Sequence, residues 1–376
     1  MQLAMVAGEA SGDLLAGLLL TGLKQRWPAL QAHGIGGPRM ADQGFEAWWP
    51  HQKLAVRGYV EVLRHYREIS GIRDALAERL LQERPAAFVG VDAPDFNLGL
   101  EKRLKAAGIK TVHFVCPSIW AWRGGRAKKM TASCDHVLCL FPFEPALLQQ
   151  HGVAATFVGH PLADAIPLQP PRAASRAALG LAEADEVVAV LPGSRRSEIQ
   201  YIAPAFLQAA SLMHRQRPSL RFVLPISPGL REMIEPLVQA HAPGLPLQLL
   251  NGQSHAALAA CDVTLIASGT ATLEAALFKV PMVIGYRMQA LSWQLMKRMR
   301  YQPWVGLPNI LSREFVVPEL IQEDCHPEAL AAATLRWLDD RPAAAALVRR
   351  FEDLHHSLRR DTARCAADAL AHVLQA

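Results

Sequence analysis

Short apolar runs alternate with longer amphipathic stretches along the whole chain. In the first half these runs are residues 2–7, 31–35, 87–91, 110–115, 136–141 and 155–158, and in the second half 186–191, 221–225, 246–250, 262–266 and 281–285. Apolar runs of strand length separated by helical patterns are typical of βαβ units and parallel sheets. The pattern therefore predicts two doubly wound α/β domains with a cleft between them.

Proline and alanine content indicates where these domains begin and end. Three prolines fall within five residues of the stretch 165–175, a composition typical of a stiff linker. Residues 327–376 are rich in Ala, Leu and Arg at helical spacing, without a strand pattern. We predict a first domain at 1–168, a second at 169–344, and C-terminal helices at 345–376 that either return to the first domain or reach a partner chain.

Composition narrows the class of protein. The 376 residues are 51% hydrophobic and 19% charged, which indicates a globular chain long enough for two cores. The six cysteines form no C-x-x-C pair, which is typical of reduced thiols in a cytosolic protein. The first residues lack a basic leader, and the longest apolar tract, 14–23, has about half the ~20 residues of a membrane span. Neither a signal peptide nor a spanning helix is expected.

The net charge of +5 leaves the type of partner open. It suits an anionic small substrate, an acidic membrane surface or nucleic acid equally well. Nucleic acid is the least expected of these, because no recognised binding module accompanies the charge.

The strand at 87–91 runs directly into two carboxylates in the stretch "FVGVDAPDFN". Asp92 and Asp95 flank Ala93 and Pro94, and Asn97 follows. Asp and Pro are favoured in turns, so a plain turn is one interpretation. Open α/β sheets bind ligands beyond the carboxyl ends of their strands, so a catalytic base is the other.

Small-residue loops follow several other predicted strands. In "LPGSR" a glycine precedes Arg195, whose planar guanidinium matches phosphate oxygens. In "ASGTATLE" the residues Ser268, Gly269 and Thr270 open a helix, and Glu274 lies one turn later. Two such loops in one half favour a nucleotide site over plain turns, with Glu274 placed to bind ribose hydroxyls.

Two glycine-containing loops of the first half are less specific. "GEASGD" ends a strand and opens a helix that Ser11 or Asp13 could cap, with an anion or hydroxyl site as the alternative. "HGIGGPRM" is best interpreted as a turn, because Arg39 replaces the third glycine of a dinucleotide fingerprint. A phosphate-binding loop with its lysine and a hydrolase nucleophile elbow are both excluded, since Leu23 and Glu9 occupy the diagnostic positions.

The motifs "GEASGD", "DAPDFN", "PSIWAWR", "GHP", "LPGSR", "ASGTATLE", "GYRM" and "LPN", in this order, resemble those of the lipid-A-disaccharide synthases. These bacterial glycosyltransferases join two acylated glucosamines, and the resemblance runs from about residue 3 to the C-terminus. It implies a GT-B fold, two Rossmann-like domains facing a central cleft, and an inverting hexosyltransferase of lipid A and lipopolysaccharide biosynthesis in a Gram-negative bacterium.

The resemblance also implies the substrates. UDP-2,3-diacylglucosamine would donate its sugar to the 6-hydroxyl of 2,3-diacylglucosamine 1-phosphate, and the products would be a β-1,6-linked disaccharide 1-phosphate and UDP. No cofactor and no metal are expected, which agrees with a proline separating the two aspartates. The oligomeric state is left open, with a homodimer as one option.

Roles follow for individual residues. Asp92 is the expected base. Asp95 is the alternative base, or it orients Asp92 or binds the acceptor sugar, and Asn97 would serve in a similar way, as an orienting group or as an acceptor ligand. Arg195 would neutralise the leaving diphosphate together with the Ser268–Thr270 amides. The main chain near Arg287 and Met288 would meet the uracil. Ser11 and Asn309 match family positions lining the cleft. His160 in "GHP" is an alternative base, although a turn into the linker is the simpler interpretation.

An acylated substrate requires a surface that contacts lipid. Residues 54–72 interleave arginines with apolar side chains, a combination suited to an anionic bilayer. The expected lipid-facing residues are Val56, Tyr59, Val60, Val62, Leu63 and Tyr66, and the expected location is cytoplasmic, peripheral on the inner membrane. An ordinary amphipathic helix packed on its own domain is the alternative, and residues 120–130 and 293–304 are other candidate surfaces.

Three other functions fit parts of the sequence. A UDP-sugar epimerase, or another glycosyltransferase of this architecture, would keep the nucleotide loops but not "DAPDFN" and "PSIWAWR". A serine hydrolase built on Ser11 lacks the required glycine. A nucleotide-sugar binding protein without catalysis would tolerate the loss of Asp92.

Overall fold

The computed structural model describes residues 1–54, 59–120, 125–299 and 301–375. The chain divides into two compact units, one made of Met1–Asp164 with Ser357–Ala376 and the other of Ala165–His356. The sequence-based limit at 168/169 lies a few residues beyond this division. The limit at 344/345 differs more, because it falls inside the continuous helix formed by residues 341–358.

Unit 1 is built on a seven-stranded parallel sheet. Its strands are β1 (Gln2–Ala7), β2 (Gln31–Gly36), β3 (Glu46–Pro50), β4 (Ala87–Val91), β5 (Lys110–Phe114), β6 (His136–Cys139) and β7 (Ala155–Phe157), in the spatial order β3-β2-β1-β4-β5-β6-β7. The order reverses between β1 and β4. In open sheets this switch point is where loops at the carboxyl ends of the strands form a site.

Helices cover both faces of this sheet, as βαβ crossovers require. They are α1 (Ala10–Arg26), α2 (Pro38–Ala41), α3 (Tyr59–Glu83), α4 (Pro94–Ala106), α5 (Arg126–Ser133), α6 (Glu144–Gln149) and α7 (Pro161–Ala165), with a 3₁₀ turn at His51–Lys53. Because β1 and β4 are covered on both faces, their side chains from Leu3 to Ala7 and from Ala87 to Val91 are buried.

Unit 2 repeats this design with six parallel strands. They are β8 (Val187–Leu191), β9 (Arg221–Ile226), β10 (Leu247–Asn251), β11 (Val263–Ala267), β12 (Met282–Tyr286) and β13 (Glu319–Ile321), in the order β10-β9-β8-β11-β12-β13. The helices are α8 (Arg172–Ala178), α9 (Arg196–Gln216), α10 (Arg231–His241), α11 (Ser254–Ala260), α12 (Thr270–Leu277), α13 (Ala290–Met299), α14 (Leu307–Ser312), α15 (Pro327–Asp339) and α16 (Arg341–Leu358), with a 3₁₀ turn at Gln322–Asp324.

The final helix, α17 (Thr362–Gln375), belongs to unit 1. Its apolar face, with Ala366, Ala367 and Leu370, joins the core formed by α1 and the central strands. The carboxylate of Asp164 accepts hydrogen bonds from the Thr362 N–H (2.7 Å) and hydroxyl (2.6 Å), which satisfies the first turn of α17. The sequence analysis left two alternatives for the C-terminal residues. In the structure, α17 takes the first of them and packs in unit 1.

The predicted strands are present with small shifts at their ends, and β3 and β13 are additional. The predicted linker is partly wrong, because α8 begins within it at Arg172. All six cysteines are free thiols, and five of them are buried, whereas Cys365 is partly exposed.

Candidate active site

Asp92 lies at the carboxyl end of β4 in an unusual backbone conformation. Both Asp92 (φ 53°) and Ala93 (φ 42°) occupy the left-handed region, which costs about 1–2 kcal/mol for each non-glycine residue. The Asp92 N–H donates to the carbonyl of Phe114 at 2.9 Å, and Pro94 then opens α4. Among the described residues the half-buried carboxylate of Asp92 has no hydrogen-bond or ion-pair partner.

Asp95 is in a different situation from Asp92. It sits in the first turn of α4 and is 83% exposed. One of its oxygens forms an ion pair with Nη2 of Arg126, from α5, at 2.6 Å. The first turn of a helix favours a negative charge, so α4 and Arg126 both stabilise the carboxylate in this orientation.

The expected direct contact between Asn97 and the acceptor does not agree with the structure. Its side chain is fully buried. Its amide nitrogen donates to the main-chain carbonyls of Asp92 (2.8 Å) and Val91 (3.4 Å). Asn97 therefore holds the loop that carries Asp92, and it does not reach solvent where a substrate would be.

The "GEASGD" loop leads from β1 into α1 with Ser11 exposed in the first helical turn. The prediction that Ser11 or Asp13 caps α1 is wrong, because Glu9 is the N-cap and no side chain makes the cap bond. The buried carboxylate of Asp13 instead accepts hydrogen bonds from the N–H groups of Gly37, Arg39 and Met40, at 2.8–3.1 Å. Asp13 thus fixes the start of α2. The interpretation of "HGIGGPRM" as a turn is wrong, because its residues form the end of β2 and the helix α2, with only Gly37 between them as the N-cap of α2.

His160 is buried at the end of the "GHP" loop. Its ring stacks on Phe141 with centroids 5.5 Å apart, and its Nδ1 accepts a hydrogen bond from the Leu162 N–H at 3.2 Å. Burial lowers the pKa of His160 to about 4, so the imidazole is neutral at pH 7. A base of this weakness is poorly matched to proton abstraction at neutral pH, and the ring instead closes the turn.

In unit 2, the "LPGSR" loop is bound by a carboxylate of the same unit, that of Glu198. Glu198, one turn into α9, is buried and accepts hydrogen bonds from the N–H groups of Ser194 (2.8 Å) and Arg195 (3.1 Å) and from Nη1 of Arg195 (2.7 Å). A side chain at residue 193 would collide with Glu198 at 2.5 Å, and Gly193 has φ 122°, a conformation for glycine. The side chain of Arg195 is still 70% exposed, so a ligand can reach it.

The second loop, between β11 and α12, ends in exposed small residues. Gly269 is the N-cap of α12 with φ 147°, and Thr270 follows as an exposed first residue. The Ser268 hydroxyl donates to the Val305 carbonyl at 2.9 Å, which anchors the loop to the segment before α14. The helix N-terminus at Gly269 and Thr270 therefore presents N–H groups and a hydroxyl, the donors that an anion requires.

Glu274 has a partner that the sequence analysis did not identify. Its carboxylate lies 3.7 Å from Nε2 of His255, and the interaction with this carboxylate raises the pKa of the imidazole. The two residues come from α11 and α12, so no local spacing indicates the pair. His255 orients the carboxylate and leaves its second oxygen available.

The main chain at Met288 is bound to another side chain of unit 2. The carboxamide of Gln322 accepts from the Met288 N–H at 2.7 Å and donates to the Met288 carbonyl at 3.2 Å. Nε of Arg287 donates to the Gln322 carbonyl at 3.1 Å. These bonds join the ends of β12 and β13, and they occupy the same main-chain groups that the sequence analysis assigned to uracil.

The expected substrate contact by Asn309 also needs correction. Asn309 is fully buried in α14. Its nitrogen donates to the Val317 carbonyl and to Glu319, both at 2.9 Å, and its oxygen accepts from the N–H groups of Val316 and Val317. With its hydrogen-bonding groups used in this way, Asn309 organises the segment between α14 and β13.

The proposed lipid-facing surface falls largely outside the described part of the chain. Val56 lies outside the described residues, as do the side chains of Tyr59, Val60, Val62, Leu63 and Tyr66. Residues 121–124 and 300, within the two alternative surfaces, lie outside it too. Across the described ranges, no helix is both long enough and apolar enough to span a bilayer, and no group of three or more His, Cys, Asp or Glu side chains is arranged to hold a metal ion.

Comparison with known proteins decides the family. A sequence model of the family described as lipid-A-disaccharide synthetase matches residues 3–370. The chain belongs to the lipid-A-disaccharide synthase family. A member from Verminephrobacter eiseniae is 62% identical over 379 residues, covering 100% of this chain and 97% of the relative. A member from Paraburkholderia xenovorans is 57% identical over 377 residues, with the same coverage.

Solved structures agree on the fold. The chain superimposes on a UDP-N-acetylglucosamine 2-epimerase described as putative from Listeria monocytogenes (TM-score 0.66, 12% identity, 100% of this chain and 95% of that one). It also superimposes on the glycotransferase of kitacinnamycin (TM-score 0.64, 17% identity, 99% and 98%). At these identities the likeness concerns the fold, and the α/β class of GT-B type with two Rossmann-like domains is confirmed.

Proposed function

We propose that this chain, as a glycosyltransferase of the lipid-A-disaccharide synthase family, transfers 2,3-diacylglucosamine from its UDP derivative to the 6-hydroxyl of 2,3-diacylglucosamine 1-phosphate. The products are the β-1,6-linked disaccharide 1-phosphate and UDP. The observation that carries the proposal is the family match over nearly the whole chain, with relatives at 62% identity.

Asp92 is the proposed general base. Transfer with inversion requires a base that accepts the proton of the attacking hydroxyl within about 3 Å, and an ionised carboxylate can serve as one. Asp92 is half-buried at a strand end, and no partner among the described residues occupies its oxygens. Asp95 is bound to Arg126, so one of its oxygens is engaged already. This difference supports Asp92 over Asp95, which would then orient the acceptor.

Groups in unit 2 would bind the donor. The exposed side chain of Arg195 and the N-terminus of α12 at Gly269 and Thr270 are both suited to a diphosphate. Glu274, held by His255, would accept hydrogen bonds from the ribose hydroxyls. Binding of uracil at Arg287 and Met288 requires the Gln322 carboxamide to leave Met288, since that side chain holds both of its main-chain groups.

The chemical step then needs no reactant other than the donor and the acceptor. The acceptor oxygen O6 forms a bond to C1 of the donor sugar while its proton passes to the Asp92 carboxylate. The bond between C1 and the phosphate oxygen breaks, and UDP leaves with the electron pair. Arg195 and the α12 amides stabilise the negative charge that develops on the diphosphate.

The test is UDP release from the two acylated substrates by the native chain, Asp92→Asn and Asp95→Asn. Asparagine preserves size and removes the base, so Asp92→Asn should lower kcat by about 10²–10⁴-fold while UDP binding is unchanged. Asp95→Asn is the matched comparison and should lower kcat far less than Asp92→Asn, because it removes an orienting group and leaves the proposed base in place. If Asp95→Asn is the inactive variant, the base is Asp95. If the native chain releases no UDP, the substrate assignment is wrong.

Docking on an anionic membrane surface through Val56 and residues 59–66 stays a prediction, as does a homodimer. Cosedimentation with vesicles containing an anionic phospholipid tests the first. Replacing Val60 and Leu63 by serine should weaken vesicle binding without changing UDP binding. Equal binding of the double variant would contradict this surface. Sedimentation velocity of the native chain tests the second.

A further inference from the structure

A fully buried polar cluster lies behind the loop that carries Asp92. Its members are Asn97 and Glu101, one turn apart on α4, and His113 on β5. An oxygen of Glu101 lies 2.7 Å from Nδ1 of His113. A buried ion pair or hydrogen-bonded acid and imidazole is rarely more stabilising than well-packed apolar side chains of similar volume. Stability alone therefore does not account for these residues.

The adjacent strand β4 has a glycine where it packs against the cluster. Gly90 of β4 is paired in register with His113 of β5. A Cβ atom at residue 90 would overlap a carboxylate oxygen of Glu101 and would lie 2.9 Å from Cβ of Asn97. Glycine inside a central strand weakens that strand and often marks a close approach. Here the close approach is to the acid and amide of α4.

The cluster is joined to both sides of the Asp92 main chain. Asn97 donates to the Asp92 carbonyl at 2.8 Å, from the α4 side. The carbonyl of Phe114, the residue after His113, accepts from the Asp92 N–H at 2.9 Å, from the β5 side. The bond between Glu101 and His113 ties α4 to β5, the two elements from which these contacts come. A left-handed pair at Asp92 and Ala93 persists only where its surroundings hold it, and this arrangement does so.

Each member of the cluster also keeps one polar atom without a partner among the described residues. These atoms are Oδ1 of Asn97, Oε2 of Glu101 and Nε2 of His113. Unpaired buried polar atoms are unfavourable and uncommon in folded proteins, and sites of function are among the places where they occur. Apolar side chains would be sufficient to pack a helix on a strand, so packing alone does not explain these three polar side chains.

We infer that Asn97, Glu101 and His113 act together as positioning residues, which hold the Asp92 loop in its left-handed conformation and thereby orient the catalytic carboxylate. The inference rests on the proposed role of Asp92 as base. The cluster does not touch substrate, and it acts through the main chain of Asp92. Loss of one link should therefore misplace the carboxylate and lower kcat, while groups of unit 2 continue to bind the donor.

The experiment compares Asn97→Ala and Glu101→Ala with two reference variants. Glu101→Gln retains an oxygen for the bond with His113 and should restore activity to within a few-fold of the native chain. Thr111→Val is the control for stability, because Thr111 is fully buried on the same face of β5 and its hydroxyl bonds to the Ser133 carbonyl, away from the loop. Thermal unfolding of every variant gives the stability loss to which activity is compared.

Asn97→Ala and Glu101→Ala should lower kcat about 100-fold, the scale expected for a misplacement of roughly 1 Å, with an unchanged KM for the UDP-sugar. Amide hydrogen exchange of peptides covering residues 91–97 should become faster in these two variants and not in Thr111→Val. Full activity of Asn97→Ala, or an equal loss of kcat in Thr111→Val, would overturn the inference.

Exchange is measured without turnover, so the two proposals fail in different ways. If the native chain has no activity on the proposed substrates, the exchange result still tests the cluster. If Asp92→Asn is inactive but the cluster variants have native kcat and native exchange, the base assignment stands and the positioning role is wrong.

Discussion

Replacing Gly22 by alanine should loosen the last helix of the chain from α1. Gly22 lies inside α1 where α17 crosses it. A Cβ atom there would overlap the carbonyl oxygen of Ala363, and it would lie 2.8 Å from the carbonyl carbon and 3.2 Å from Cβ of Ala367. The nearest atoms belong to the main chain of α17, so the helix itself must move.

Two opposing effects decide the magnitude. Alanine is a better helix former than glycine by about 1 kcal/mol, which favours the variant. Forcing a methyl group into a packed contact costs about 1–3 kcal/mol, and overlap with a main-chain carbonyl belongs at the upper end. We expect a net loss of about 1–2 kcal/mol in the docking of α17, which is a 5- to 30-fold rise in its undocked population.

Gly71→Ala is the matched control. Gly71 lies inside α3, another helix of unit 1, and a Cβ atom at this residue would meet nothing within 4 Å. Only the helix-propensity effect remains, so Gly71→Ala should stabilise unit 1 by about 0.5–1 kcal/mol. The same chemical substitution is thus expected to have opposite signs at the two positions.

Amide hydrogen exchange measured by mass spectrometry separates the two effects, since it reports each segment individually. Peptides from residues 362–375 should exchange 5- to 30-fold faster in Gly22→Ala, whereas peptides from unit 2 should not change. Unchanged exchange in α17, or stabilisation by Gly22→Ala equal to that of Gly71→Ala, would refute the packing argument.

Three further outcomes follow from the structure. Asn309→Ala should destabilise unit 2 by roughly 2–5 kcal/mol in thermal unfolding, because four hydrogen bonds of a buried side chain, two of them fully buried, lose a partner; a change below about 1 kcal/mol would contradict this. Gly193→Ala should weaken UDP binding in a titration about tenfold by displacing Glu198, and native affinity would exclude that coupling. The pKa of His160 is lower in the folded state than in the unfolded state, so on acidification the imidazole of the unfolded chain is protonated first. Lowering the pH from 7 to 5 should therefore reduce the free energy of unfolding by roughly 2 kcal/mol. His160→Asn should lack this part of the pH dependence.

The sequence predicted every strand in the middle of each sheet, together with the edge strands β7 and β10. Continuous apolar runs such as residues 187–191 leave few alternatives to a covered parallel strand. The two missed strands lie at sheet edges. β3 is largely exposed and contains two tryptophans and a proline, and β13 has three half-buried residues. An edge strand is stabilised by its neighbour on one side, so its own sequence carries little of the pattern.

The candidate site could be predicted in position but not in the detail of its contacts. Strand-end motifs correctly placed Asp92, Arg195 and Gly269 just beyond the carboxyl ends of their strands. Parallel strands present all their carboxyl ends on one side of the sheet. The burial of Asn97 and Asn309 and the pairing of Glu274 with His255 depend on elements distant in the chain. Polar residue types alone do not indicate whether an amide faces substrate or the main chain of its own protein.

The return of α17 to unit 1 has a consequence for synthesis of the chain. Unit 2 is one continuous segment, whereas unit 1 combines Met1–Asp164 with Ser357–Ala376. The contact between Arg26 and Asp368 joins residues 342 positions apart. Long-range contacts form late, and domains generally fold as units while the ribosome extends the chain. Until α17 emerges, the surface of α1 around Gly22 lacks the helix that packs on it, so unit 1 cannot be completed before the continuous segment of unit 2 has been synthesised.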